Sequence, residues 1–120
     1  MAIPVILNHM VQYPTDPGPA FAALADSTRR SVLERLGRGP ATISDLAAAF
    51  DMTLTGIKKH VRVLENAGLV RTEKIGRVRT CTLGPSRLDA ESAWIADYRR
   101  MLEDRYDRLE HYLERTTEEP

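Results

Sequence analysis

At 120 residues and 42% apolar content, the chain has the size and composition of one globular domain rather than a disordered segment. A single cysteine excludes an intrachain disulfide, and no apolar run approaches the ~20 residues that span a bilayer. The 17 basic and 17 acidic residues cancel overall, but residues 27–80 hold 11 Lys/Arg against 5 Asp/Glu, whereas residues 81–120 hold 6 against 10. This distribution favours one surface that attracts phosphates on an otherwise neutral protein.

The N-terminal part is the least regular. Residues 1–18 are apolar but broken by prolines, and they predict either a short packed helix or a loose arm. No Lys or Arg precedes the apolar stretch, so we expect no secretory signal and a cytoplasmic protein. Residues 19–25 predict a short helix with Pro19 in its first turn. Asp26 is a suitable N-cap for a helix over residues 27–36, which ends at Gly37.

The next two segments predict a helix-turn-helix. The pattern Thr42-x-x-Asp45 is a capping box at the start of the first helix, and Asp51 and Met52 form the turn after it. Thr53 or Thr55 caps the second helix, which runs to residue 67 and stops at a glycine. The apolar face of the first helix comprises Ile43, Leu46, Ala47 and Phe50.

The second helix divides into two faces. Ile57, Val61 and Leu64 recur at i, i+4 and i+7 and predict the buried side. Hydroxyl and cationic side chains on the opposite side can bond base edges and phosphates, so this segment is typical of a recognition helix. That opposite side comprises Thr55, Lys58, Lys59, Arg62 and Asn66.

A β-hairpin is predicted after the second helix. Two β-rich runs, residues 69–74 and 77–83, flank a turn at Ile75 and Gly76. Lys74, Arg77 and Arg79 crowd the tip of this hairpin, which we call the wing. Cations at a hairpin tip suit contact with phosphates beside a duplex.

Three stretches resemble the ArsR/SmtB family of winged-helix repressors: FAALADSTRRSVLERL, TISDLAAAFDMTLTGIKKHVRVLENAGLV and RTEKIGRVRTCTL. The resemblance covers roughly residues 19–115. It implies a mainly α fold with a small hairpin (α+β), a winged helix-turn-helix, and a homodimer that binds a palindromic operator in double-stranded DNA. Carried over by position, it implies DNA contacts from Thr53, Thr55, Lys58, Lys59, Arg62 and Arg77. The expected DNA-binding set also includes Leu54 of the second helix and the wing cations Lys74 and Arg79.

The chain departs from the metal sensors of that family. Those sensors carry Cys-x-Cys on the first helix of the motif, or Asp, His and Glu along the last helix, whereas the first helix here reads TISDLAAAF. His9, His60, His111 and Cys81 are too scattered to form a ligand set. We therefore expect no metal site and no cofactor, as in the metal-independent, SdpR-like members. Cys81 is interpreted as a small core residue and His60 as a helix-packing residue.

A long helix is predicted over residues 88–115. Ile95, Leu102 and Leu109 recur every seven residues, a stripe too long for a chain of this size to bury alone. A second copy of the helix is the expected partner, and packing within the monomer against Phe21 and Leu24 is expected beside it. The chain divides into an arm (1–18), a winged helix-turn-helix (19–85) and a dimerisation helix with its tail (86–120). The expected dimer interface comprises Phe21, Trp94, Ile95, Tyr98, Leu102 and Leu109.

No catalytic constellation is present in the sequence, so an enzyme is not expected. Two alternatives remain beside a metal-independent repressor. One is an effector- or metal-responsive repressor of the same family, with the effector unknown. The other is a winged-helix module that binds a protein, which the basic rather than acidic face of the second helix disfavours.

Overall fold

The structure, a computed structural model, describes residues 16–118. Over these residues the chain is mainly α-helical with a three-stranded antiparallel sheet, which confirms the predicted fold class; the order of the strands in the sheet, numbered along the chain, is β1-β3-β2. The expected arm lies outside the described residues except for positions 16–18. In chain order the elements are α1 (Gly18–Leu24), α2 (Ser27–Leu36), β1 (Ala41–Thr42), α3 (Ile43–Ala49), α4 (Leu54–Asn66), β2 (Val70–Ile75), β3 (Val78–Leu83) and α5 (Asp89–Glu118).

Side-chain caps fix where three of the helices begin. Asp26 accepts the Arg29 N–H at 3.0 Å and caps α2. Thr42 and Asp45 form the predicted capping box, with reciprocal hydrogen bonds of 3.0 and 3.1 Å. The Thr53 hydroxyl oxygen accepts the Gly56 N–H at 3.0 Å, so Thr53 rather than Thr55 caps α4. Each cap satisfies a backbone donor that the helix leaves unpaired.

One apolar core lies within residues 16–89, between the helices and the sheet. The predicted buried stripe of α4 lies in it, because Ile57, Val61 and Leu64 are all buried. Cys81 is fully buried on β3 and is a core residue, as the sequence predicts, and burial raises the pKa of its thiol. The largest fully buried side chains are Leu46, Ile57, Leu64, Val32 and Cys81.

The sheet corrects two sequence predictions. The sequence does not reveal β1, a two-residue strand that pairs with β3 through Ala41 and Cys81. The prediction of a wing turn at Ile75 and Gly76 is wrong by one residue, since Ile75 pairs with Val78 and closes the ladder. Gly76 takes φ 63° and is the first central residue of a two-residue turn, a conformation that hairpins with tight turns require there.

The base of the wing is joined to the end of α4 through backbone atoms. The Gly84 N–H donates to the Leu69 carbonyl at 2.9 Å, and the Ser86 N–H donates to the Gly68 carbonyl at 3.0 Å. A Cβ atom at Gly84 would lie 2.3 Å from the Gly68 oxygen. Only glycine therefore permits this approach of two backbone segments.

The helix α5 is one continuous element of 30 residues and extends three residues beyond the predicted end at Arg115. On this helix the Trp94 and Tyr98 rings stack with centroids 5.5 Å apart. Ile95 and Leu109 leave about half of their surface exposed, at 46% and 53%. Across residues 16–118, no helix combines the length and apolarity that a membrane span needs.

The caps of α2 and α3 predict how stability responds to acid. The Thr42 N–H, followed by the Thr42 hydroxyl, holds the pKa of Asp45 below its ordinary value, and the Arg29 N–H does the same for the pKa of Asp26. A carboxyl group with a lowered folded pKa stabilises the fold above its unfolded pKa, about 3.9 for Asp, and loses this contribution as pH falls through the folded pKa. We expect Asp45→Asn, which cannot titrate, to lose less stability than the native chain between about pH 5 and about pH 2.

Urea unfolding at a series of pH values measures this difference. Asp107→Asn is the control, since Asp107 is exposed in the middle of α5 and caps no helix. Equal acid sensitivity of Asp45→Asn and the native chain would contradict the assignment.

Candidate nucleic-acid interface

The outer face of α4 is presented by its buried face. Ile57, Val61 and Leu64 fix the rotation of the helix in the core, so the opposite side of the helix points away from it. Thr53 uses its hydroxyl oxygen for the cap and keeps its hydroxyl hydrogen as a donor. Leu54 is 48% exposed in the first turn. The outer face is exposed at Thr53, Leu54, Thr55, Lys58, Lys59 and Arg62.

The inner side of α4 is tied to the preceding helices through His60. Its Nδ1 atom lies 3.3 Å from Nη1 of Arg29 and 3.8 Å from Oδ2 of Asp26. The same guanidinium donates through Nε to the Ala23 carbonyl at 2.7 Å and through Nη2 to the Ala22 carbonyl at 2.9 Å. One arginine therefore binds the end of α1 and contacts α4, and His60 occupies the helix-packing position that the sequence predicts.

The cations of the wing are divided by the pleat of the sheet. Lys74 and Arg79 are direct cross-strand partners, and they share a face with the pair of Thr72 and the buried Cys81. This face is therefore the one that looks toward α4. Arg77 is the second central residue of the turn and is exposed at the tip.

A groove separates the outer face of α4 from the wing. A cleft of about 430 Å³ lies between the first turns of α3 and α4 and the wing tip, and Leu54, Lys58, Lys74, Arg77 and Arg79 contribute to its walls. A second cleft of about 270 Å³ lies further along α4, and its walls include Arg62. The structure thus brings five of the predicted cations to one groove, while Thr53, Thr55 and Lys59 lie outside both clefts.

This cationic groove suits a polyanion more than a small neutral ligand. It is open and lined by long charged side chains, the arrangement that binds the phosphates of an extended backbone. The exposed face of α4 beside it carries hydroxyl and apolar groups, the kinds of group that can contact base edges. Five of the eleven Lys and Arg residues in positions 27–80 thus line this groove.

Two polar residues of this region were not predicted from the sequence. Glu65 at the end of α4 is bonded to Thr72 on β2, at 2.6 Å from hydroxyl to carboxylate. The Thr72 hydroxyl also accepts a hydrogen bond from Nη1 of Arg79 at 3.1 Å. The residues are seven positions apart along the chain and belong to different elements, so no spacing rule links them.

The expected dimer residues lie on two elements. Trp94, Ile95, Tyr98, Leu102 and Leu109 follow one face of α5, where Ile95, Tyr98 and Leu109 are exposed and Leu102 is half-buried. Phe21 is half-buried on α1. The apolar stripe continues toward the end of α5 with Tyr106, Leu113 and Tyr112, which are 64%, 54% and 58% exposed.

The described residues contain no group of three or more His, Cys, Asp or Glu side chains placed to hold a metal ion. His111 lies 3.8 Å from Glu114 on an exposed turn of α5. His9 lies outside the described part of the chain.

Comparison with known proteins agrees with this geometry. A helix-turn-helix domain model matches residues 24–73. The HTH-type transcriptional regulator Rv2034 of Mycobacterium tuberculosis is 38% identical over 74 residues, which are 62% of this chain and 69% of Rv2034. The transcriptional repressor SdpR of Bacillus subtilis is 27% identical over 65% of this chain and 87% of SdpR. A crystal structure of an ArsR family transcriptional regulator is 50% identical in sequence to this chain. The match covers 77% of this chain and 95% of that regulator, with a TM-score of 0.68.

Proposed function

Because the chain belongs to the ArsR family of winged helix-turn-helix transcriptional regulators, we propose that it is a homodimeric repressor of a palindromic operator that needs no metal cofactor. The observation that carries the proposal is the cationic groove between α4 and the wing. No catalytic chemistry is assigned to the chain, since its relatives are transcriptional regulators.

In the proposed complex α4 enters the major groove of DNA. The hydroxyl groups of Thr53 and Thr55 bond base edges, and the exposed Leu54 contacts a thymine methyl group. Lys58, Lys59 and Arg62 bind phosphates beside the helix. A strand of the DNA backbone then follows the groove, with Lys74 and Arg77 of the wing on its far side.

A second copy of the chain is the proposed partner of α5. The isolated chain leaves the leucine, isoleucine and tyrosine side chains of this apolar stripe exposed. In a dimer with a two-fold axis, the stripes of the two copies cover each other. The two α4 helices of such a dimer would read half-sites about one turn of DNA apart, or a multiple of it, which is the physical reason for a palindromic operator.

A titration with the DNA upstream of the chain's own gene tests the proposal. Light scattering should give about twice the chain mass of 13.5 kDa. Operator affinity should fall steeply as salt rises, because each Lys or Arg bound to a phosphate releases counterions. Addition of Zn(II), a chelator or a reductant should leave the affinity unchanged.

The matched control is a duplex with the same composition in scrambled order. A monomer at micromolar concentration, or equal affinity for both duplexes, would contradict a dimeric operator-binding protein. Loss of binding on chelation would instead favour a metal-responsive regulator.

A further inference from the structure

The hydrogen bonds among Glu65, Thr72 and Arg79 connect the recognition element to the wing. Thr72 donates its hydroxyl hydrogen to Oε2 of Glu65 at 2.6 Å and accepts from Nη1 of Arg79 at 3.1 Å. The chain of bonds thus runs from the last turn of α4, through β2, to β3. Both bonds involve a charged group, and such bonds are stronger than those between neutral groups.

The position of Arg79 on the wing explains why these bonds form. Arg79 is directly opposite Lys74, and like charges in a cross-strand pair destabilise the sheet. The bond to Thr72 draws the guanidinium away from Lys74 toward the base of the wing. Glu65 accepts a hydrogen bond from the same Thr72 hydroxyl group and supplies the opposite charge. Lys74 is then left to face the groove.

Phosphate binding alone does not explain the acidic side chain of Glu65 in this groove. Among the described residues, it is the one acidic side chain in the walls of the second cleft, beside Lys58, Arg62 and Arg79. A carboxylate near a DNA backbone repels it, so by charge alone its removal would strengthen DNA binding. Its partner is a hydroxyl group of the wing rather than a neighbouring cation on α4.

We propose that Glu65 and Thr72 are positioning residues that hold the wing against α4, with Arg79 acting through Thr72 rather than on the DNA. Lys74 and Arg77 then face the phosphates before DNA arrives, and binding does not have to order the wing. The inference rests on the proposed function and extends it, because it removes Arg79 from the set of phosphate contacts and adds two residues that touch no DNA.

Three variants test the inference. Thr72→Val keeps the shape and strand preference of the side chain but removes the hydroxyl group, whereas Thr72→Ser keeps the hydroxyl group. We expect Thr72→Val to weaken operator binding about fivefold to tenfold and Thr72→Ser to stay close to the native chain. Glu65→Gln should also weaken binding, although it removes a negative charge beside the groove.

The salt dependence separates positioning from phosphate contact. Arg77→Ala should reduce the slope of log affinity against log salt by about one, whereas Thr72→Val should leave the slope unchanged. Thermal unfolding of each variant is the control for a general loss of stability. Tighter binding by Glu65→Gln, or equal binding by Thr72→Val and Thr72→Ser, would overturn the inference.

Hydrogen exchange in the DNA-free protein tests the hydrogen-bond chain without the proposed function. Backbone amides of residues 73–79 should exchange faster in Thr72→Val than in Thr72→Ser and the native chain. Unchanged exchange would overturn the inference by itself. A native chain that binds no operator would instead overturn the proposed function, and with it the assignment of the hydrogen bonds among Glu65, Thr72 and Arg79 to DNA binding.

Discussion

Reversing the charges of Lys58 and Arg62 together is expected to reduce operator affinity at least ~100-fold at physiological salt. Both side chains are exposed on α4 and line the clefts beside the wing. Each substitution to Glu removes an attraction to phosphate and adds a repulsion, so Lys58→Glu with Arg62→Glu changes the local charge by four units. A salt titration of operator binding, by fluorescence anisotropy, measures both the loss and the shallower slope.

The control for this variant carries the same change of net charge elsewhere. Arg99→Glu with Arg108→Glu lies on α5, where both arginines are exposed. This double variant should retain most of the operator affinity, because the two charges lie outside the proposed DNA interface. Similar losses in the two double variants would mean that overall charge, rather than the α4 face, determines binding. Circular dichroism of both proteins checks that helix content is preserved.

Gly84→Ala is expected to destabilise the fold by about 3 kcal/mol, at the upper end of the usual cost of overpacking. The new Cβ atom would lie 2.3 Å from the Gly68 oxygen and 2.9 Å from the carbonyl carbons of Gly68 and Leu69. These are backbone atoms, which cannot rotate away as a side chain can. The hydrogen bonds of Gly84 and Ser86 at the base of the wing would have to lengthen or break. Urea unfolding followed by circular dichroism measures the loss.

Gly18→Ala is the matched control for this substitution. A Cβ atom at Gly18 would approach Oδ1 of Asp16 at 3.2 Å, but that oxygen belongs to an exposed side chain that can move. Its effect should stay within about 0.5 kcal/mol, as for ordinary surface substitutions. If Gly84→Ala is tolerated equally well, the base of the wing is more adaptable than its backbone contacts indicate.

The parts of the fold that depend on local interactions could be predicted from the sequence. Asp26, Thr42 and Asp45 cap helices through residues three positions away, and Ile57 and Val61 face the core because a helix repeats every 3.6 residues. These patterns lie within a few residues of one another, so reading the chain in short windows finds them.

The parts that depend on pairing between distant segments could not be predicted in this way. Strand β1 has only two residues and exists because Ala41 and Thr42 pair with β3, some forty positions away. The predicted position of the turn is wrong because Ile75 lies next to the turn glycine but has a side chain that favours strands. Its pairing with Val78 places it in the strand.

The same distinction between local patterns and long-range pairing applies to the candidate site. The cations of α4 and the wing were found because charge on an exposed face is visible in sequence, but their roles in DNA binding remain predictions. The bond between Glu65 and Thr72 was missed because a helix end and a strand meet there only after folding. The neighbouring bond from Arg79 to Thr72 is the basis for proposing different roles for Arg77 and Arg79, which have the same charge and lie two residues apart in the sequence.

The close approach of Gly84 to Gly68 fixes the base of the wing in place. Its base cannot shift without breaking backbone contacts, whereas the segment beyond Thr72 extends only about 10 Å along each strand and ends in an exposed turn. Because the Thr72 hydroxyl group ties the middle of the hairpin to α4, only this short segment lies beyond the last contact with the core. Changes in the sequence of the exposed turn are therefore expected to leave the core intact, so the phosphate-binding role proposed for the wing and the stability of the fold can change separately.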